Sequence, residues 1–238
     1  MPIRTAFPRK ILAALGLGLL AATALPAYES RELRGWTVLV RPELLSTGQR
    51  DATEAAVALV DAQLAEVARA VPSPALAELR KVPIYLSPPY PGVPPKAEYH
   101  PSAGWLRANG RDPAMAKAVE FTNLAQLDRE VRRMPMLALH ELAHAYHDRV
   151  LGFDHPGVLA AFGRARDSGT YASVSRRDWQ GRQTDGVRAY ALTNHHEYFA
   201  ETTEAFFGRN DFFPYDRTEL EKADPGAVEM LRAAWGAR

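Results

Sequence analysis

Between Pro135 and Gly152 the chain reads Met136-Leu137-Ala138-Leu139-His140-Glu141-Leu142-Ala143-His144-Ala145-Tyr146-His147, followed by Asp148 to Leu151. A helix is expected over Met136 to Leu151, with Pro135 suited to its first turn and Gly152 to its end. As far as Tyr146 it is apolar almost all round, so it must be buried. Any fold for this chain therefore has to cover that helix on every side. It also has to find partners for the two histidines and the glutamate that it carries inside.

His140 and His144 are four residues apart and lie about 40° from each other around a helix, so both imidazoles can reach one ion. Glu141 is rotated about 100° from His140, free to contact a water rather than the metal. Imidazole suits zinc, and a carboxylate beside a zinc-bound water can take its proton. The competing reading is a pair of core histidines satisfied by backbone or carboxylate groups. His147 extends the run, but glycine and a third histidine of the metzincin pattern are replaced by His147 and Val150, which excludes that subclass. His147 is not taken as a ligand. Cysteine is absent, so there are no disulfides, thiolate metal sites, cysteine nucleophile or lipid-attachment cysteine. Any metal has to be held by histidine and carboxylate.

A further ligand has to come from elsewhere, and the stretch from Tyr190 to Glu201 is the informative one. A second helix is expected over His195 to Phe207, ended by Gly208. On it Glu197, Glu201 and Glu204 fall within about 60°. Glu197 is open to two readings at this point. Asn194-x-x-Glu197 is a capping box, in which the glutamate reaches back to the helix start, and three aligned glutamates also make a solvated face. Alternatively, Glu197 is a metal ligand.

An HExxH helix, then a tyrosine, a glutamate seven residues on and a second glutamate four further, resembles the gluzincin-type metallopeptidase domain of anthrax lethal factor. The secreted Pro-Pro endopeptidases are similar in the tyrosine and glutamate spacing. The resemblance covers mainly residues 135 to 208, about a third of the chain. It implies a zincin-like α+β fold, with a small twisted sheet packed on the HExxH helix and a helical C-terminal lobe. It implies one zinc ion per chain held by His140, His144 and Glu197, with Glu141 as general base and Tyr190 assisting the transition state. Glu201 is assigned to orient a zinc-bound histidine through its other ring nitrogen; Glu204 competes for that place, and the family pattern favours Glu201.

The remaining chain agrees with this class. Strands are expected at Gly35–Val40, Val82–Leu86 and Ala118–Thr122, and an amphipathic helix over Asp51–Val71. Seven prolines between Pro83 and Pro101 argue for a long ordered loop or extended surface. Val119–Thr122, just before the active-site helix, is the strand expected at the sheet edge, where a substrate would add as a further strand. A short helix is expected near Val158–Arg166 and another near Ala227–Ala234. Strands first and helices later make one α+β domain over residues 28–238.

Residues 1–27 read as a signal peptide: Arg4, Arg9 and Lys10 precede an apolar run from Ile11 to Leu25, with cleavage expected after Ala24 or Ala27. The run is shorter than the roughly 20 apolar residues of a membrane span. The chain holds 29 Lys and Arg; less the leader's three, 26 stand against 28 acidic residues, a net charge of −2 in place of +1. That balance does not suggest nucleic acid or an anionic membrane as partner. The expectation is a secreted or periplasmic, monomeric zinc metalloendopeptidase acting on proteins or peptides. Two alternatives stay open. One is a secreted zincin-fold binding protein without activity, whose usual sign would be loss of Glu141 or Tyr190. The other is a zinc amidohydrolase of cell-wall peptides, which substrate profiling would separate.

Overall fold

The structure, a computed structural model, describes residues 28–94 and 96–237; the leader expected over residues 1–27 lies outside them. The fold is α+β. Strands β1 (Glu29–Leu33) and β2 (Trp36–Val40) form an antiparallel hairpin. Its two turn residues, Arg34 and Gly35, have φ of 52° and 91°, the left-handed pair whose twist matches the flanking strands. A forked ion pair to Asp61, at 2.9 and 2.7 Å, holds the Arg34 side chain. At Gly35 a Cβ would stand 2.7 Å from the Arg80 side chain, so only glycine suits both the backbone and the space.

The hairpin leads into a five-stranded sheet with β3 (Ile84–Ser87), β4 (Lys96–Tyr99) and β5 (Val119–Thr122), in the order β1-β2-β3-β5-β4. β2, β3 and β5 run parallel, while β1 and β4 are antiparallel to their neighbours. Every residue of β3 and β5 is buried, as strands covered on both faces require. This overturns the expectation that Val119–Thr122 forms the edge: β5 is paired on both sides. The edge strand next to β5 is β4, inside the stretch expected to be loop. Prolines mask it, yet proline is at home beside edge strands, and Lys96-Ala97-Glu98-Tyr99 alternates half-buried and buried residues.

Helix α1 (Arg50–Ala70) buries a stripe that includes Ala56, Val60, Leu64 and Val67. α2 (Ser73–Leu79), α3 (Ala103–Ala108) and α4 (Leu127–Arg133) are short connections. α5 (Leu137–Tyr146) is the expected central helix, continued by a π-helical turn over His147–Leu151. It packs on α1, β4 and the later helix α7 (His195–Phe207). Gln63 of α1 fixes its start: the amide donates to the Pro135 carbonyl at 2.8 Å and accepts from the Ala138 N–H at 3.2 Å. One of the donors left orphaned at a helix N-terminus is thereby satisfied.

After α6 (Pro156–Ser168) the glycine- and arginine-containing stretch forms a hairpin, β6 (Val174–Arg177) with β7 (Gln183–Val187). α7 (His195–Phe207), α8 (Arg217–Ala223) and α9 (Pro225–Trp235) complete the helical lobe. Asp224 joins three parts of it, capping α9 while accepting from the Tyr198 hydroxyl at 2.7 Å and the Tyr171 hydroxyl at 3.1 Å. Gly208 ends α7 against Met136, whose sulfur would lie 2.5 Å from an added Cβ. A larger residue there would have to displace the Met136 side chain. No helix among the described residues is long and apolar enough to cross a membrane.

Candidate metal centre

The apolar helix α5 brings His140 and His144 to the face that α7 covers and turns Glu141 towards β4, and Glu197 comes from the first turn of α7. Asn194 caps that turn, its side-chain oxygen accepting from the N–H groups of His196 at 2.8 Å and Glu197 at 3.0 Å. The capping box is thus only half formed. Instead of reaching back, the Glu197 carboxylate lies 3.2 Å from His140 Nε2 and 3.2 Å from His144 Nε2. The two Nε2 atoms are 3.1 Å apart.

Three ligand-type atoms so placed form a nearly equilateral triangle. Tetrahedral coordination at about 2.0 to 2.1 Å separates neighbouring donor atoms by about 3.3 Å, so the triangle is the size of one face of such a tetrahedron. Two imidazole nitrogens and a carboxylate oxygen this close need a cation among them, either a shared proton or a metal. Burial opposes charge on His140, but Glu197 and Glu204 outweigh it and hold the ring well above its ordinary range. Burial likewise favours protonated Glu197, yet hydrogen bonds from His140 and His144 keep it well below the carboxylate range. A metal bound here would take the place of the proton on Nε2.

Glu141 is buried beside the triangle, and burial raises its pKa above the ordinary value. Its Oε2 accepts from the Tyr99 N–H of β4 at 2.8 Å, and Oε1 has no hydrogen-bond partner among the described residues. The centre opens into a cleft of about 620 Å³ that all four residues of β4 help to line. Tyr190, in a 3₁₀ turn over Tyr190–Leu192, also lines it and is 46% exposed. Partial burial and then the Glu197 charge raise its pKa, keeping the phenol protonated and able to donate.

Glu201 does not orient a histidine. It is buried and accepts from the Asn210 side-chain amide at 3.0 Å. Glu204 takes the place expected for it, its Oε1 lying 2.7 Å from His140 Nδ1. The reason is helical geometry: Glu204 is two turns from Glu197 and about 20° off its direction, whereas Glu201 is about 40° off on the other side. Burial, then repulsion from Glu204 and Asp211, pushes the Glu201 carboxyl well above its usual range. The edge strand's contact with Glu141 and the place of Arg133 and Arg176 in the cleft lining were also missed, for no local spacing signals them.

His147 belongs to none of this chemistry. It is fully buried between Phe153 and Phe199, beside His195 and His196, and neither ring nitrogen has a partner among the described residues. Burial, reinforced by the neighbouring histidines, pushes its pKa down to about 3. Above about pH 6.5 the ring is neutral both folded and unfolded. Below that, the unfolded chain binds a proton that the native site refuses, so stability falls as the pH drops from 6.5 towards 3. His147→Phe is expected to flatten that part of the profile and to stabilise the protein at pH 7 by about 1 kcal/mol or more. Urea denaturation of both proteins between pH 4 and 8 checks this; parallel profiles would contradict it.

Compared with known proteins, the chain matches no family model, no curated protein and no solved structure.

Proposed function

We propose that the protein is a secreted zinc metallopeptidase with a zincin-like fold, holding one zinc ion through His140, His144 and Glu197. The observation that carries this reading is the triangle of His140 Nε2, His144 Nε2 and Glu197 Oε2, with sides of 3.1 to 3.2 Å. The buried carboxylate of Glu141 beside it supports a hydrolytic rather than a structural site, as does the resemblance to the lethal factor and Pro-Pro endopeptidase families. The leader pattern of residues 1–27 supports export.

When bound, zinc would acidify a water and polarise the scissile carbonyl. The protein's own groups account for the rest. Glu204 fixes the proton on His140 Nδ1 and so directs the lone pair of Nε2 towards the centre. The Tyr99 N–H holds Glu141 Oε2, leaving Oε1 to take the water's proton and later deliver it to the leaving amine. Burial raises the basicity of that carboxylate, which suits a base working near neutral pH. The Tyr190 hydroxyl donates to the oxyanion as charge develops on it. Metal analysis of the purified mature protein should find close to one zinc per chain, retained through gel filtration and lost in His140→Ala. Protein that takes up no zinc when saturated with it would overturn the reading.

β4 is the strand on which a substrate would lie. The Tyr99 N–H points away from β5, towards Glu141, and groups two residues apart on a strand point the same way, so the Ala97 N–H faces the cleft as well. Ala97→Pro removes that donor at an edge position where proline is tolerated. It is expected to raise KM about two- to tenfold, with kcat and Tm close to wild type. Unchanged steady-state kinetics would exclude β4 as the substrate strand.

A further inference from the structure

Away from the metal centre, the cleft is lined by two arginines that differ in what they have left to offer. Arg133, near the end of α4, is fully engaged. Its Nε and Nη2 donate to Glu130 at 3.2 and 2.8 Å, and its Nη1 donates to Asp211 at 3.3 Å. Arg176, on β6, is engaged through one atom only, its Nε donating to Asp211 Oδ2 at 2.9 Å. Neither terminal nitrogen of Arg176 has a partner among the described residues, and its side chain is 39% exposed.

The free fork is nevertheless held in place. Asp211 is 1% exposed at its side chain and grips Nε from one side. The Phe212 ring lies 4.6 Å from the guanidinium carbon. The backbone carrying them is fixed too, since the Arg177 N–H donates to the Asp211 carbonyl at 2.8 Å and the Phe213 N–H to the Ser175 carbonyl at 2.9 Å. A guanidinium resting over a ring, with its Nε fixed by a buried carboxylate and its terminal N–H groups open, is organised for a planar, two-oxygen acceptor. The fork's own charge is not wasted on Asp211 alone, because Asp211 also receives Arg133.

We infer that Arg176 is a specificity-determining residue of the cleft, binding a carboxylate of the substrate through its two terminal nitrogens. This rests on the peptidase reading for the reaction, although carboxylate binding itself does not require turnover. The carboxylate has two sources in a peptide: an Asp or Glu side chain, or the chain terminus. Either would meet Arg176 with the geometry of a forked charge-assisted pair, while an amide of the same shape would lose both the charge and one acceptor.

The test uses a fluorescent peptide set in which one position at a time is Asp, Asn, Glu or Gln, each peptide made with a free and with an amidated C-terminus. Cleavage is measured with the wild-type protein and with Arg176→Gln. Equilibrium binding of the same peptides is measured by anisotropy on Glu141→Gln and on the double variant with Arg176→Gln. Carboxylate-bearing peptides are expected to be preferred over their amide twins about tenfold or more in kcat/KM and in affinity. That preference should disappear with Arg176→Gln. If it follows the side chain, the substrate is an acidic peptide; if it follows the terminus, the enzyme acts near chain ends.

Arg176→Lys keeps a cation beside Asp211 but loses the fork, so it should fold and show a smaller preference. It carries the test if the glutamine variant is unstable. Cleavage by the wild type with no carboxylate preference, or a preference undiminished in a folded Arg176 variant, overturns the inference while leaving the peptidase reading intact. Carboxylate-selective binding that depends on Arg176, with no cleavage of any peptide, would overturn the peptidase reading and uphold the subsite.

Discussion

Glu197→Ala is expected to weaken zinc binding by more than about 100-fold, since loss of an outer partner alone costs 10- to 100-fold. The two histidine Nε2 atoms would remain 3.1 Å apart with no carboxylate ligand completing the triangle, and a two-ligand site cannot hold zinc against buffer. The helix itself should survive. Asn194 supplies the cap from its own side chain, so removing the Glu197 carboxylate leaves the start of α7 intact. Were Glu197 important only as a cap, the same change would cost about 0.5–2 kcal/mol of stability and leave zinc affinity untouched. His196→Ala is the control. Its ring stacks on Phe153 at 4.1 Å and it is rotated about 100° from Glu197, so metal should be retained. Competition titration with a zinc indicator, run beside thermal denaturation, separates the two cases.

Glu141→Gln should abolish turnover with zinc in place. The amide oxygen of glutamine can still accept from the Tyr99 N–H, which directs its NH₂ group to the position of Oε1. A donor then stands where the proton acceptor is needed. Loss of a general base costs about 10²- to 10⁴-fold in rate. Stability should not fall, because the variant removes a buried carboxyl that burial already disfavours as an anion. Activity within tenfold of wild type would remove Glu141 from the mechanism. A zinc-free variant would show instead that the carboxylate holds the centre together.

The parts of this structure that were legible in the sequence are those where burial writes a period. α1, α5 and α7 announced themselves by apolar spacing and end signals, and α7 was expected at the bounds it has, His195 to Phe207. His140, His144 and Glu197 come together with their candidate ligand atoms within 4.8 Å of one another. What escaped was set by contacts between distant segments. β4 is four residues long and follows a run of prolines, so its pairing with β5 leaves no local mark stronger than a short alternation. The β6–β7 hairpin is largely exposed and arginine-rich, hence without an apolar stripe. Glu201 and Glu204 share a helix face, and only the position of α5 against α7 decides which one meets His140. Arg176 joins the cleft because residues 211–213 pin β6 there, 35 positions away in the chain.

Peptide-bond hydrolysis at the proposed His140, His144 and Glu197 centre can be read directly from cleavage products. The mature protein is incubated with a diverse peptide library, and products are read by mass spectrometry with and without a zinc chelator. Discrete internal cleavages are expected that vanish with chelator, return on adding zinc, and are absent with Glu141→Gln. Cleavage that persists undiminished in chelator, or a zinc-loaded protein that cuts no peptide in the library, would contradict hydrolysis at that centre.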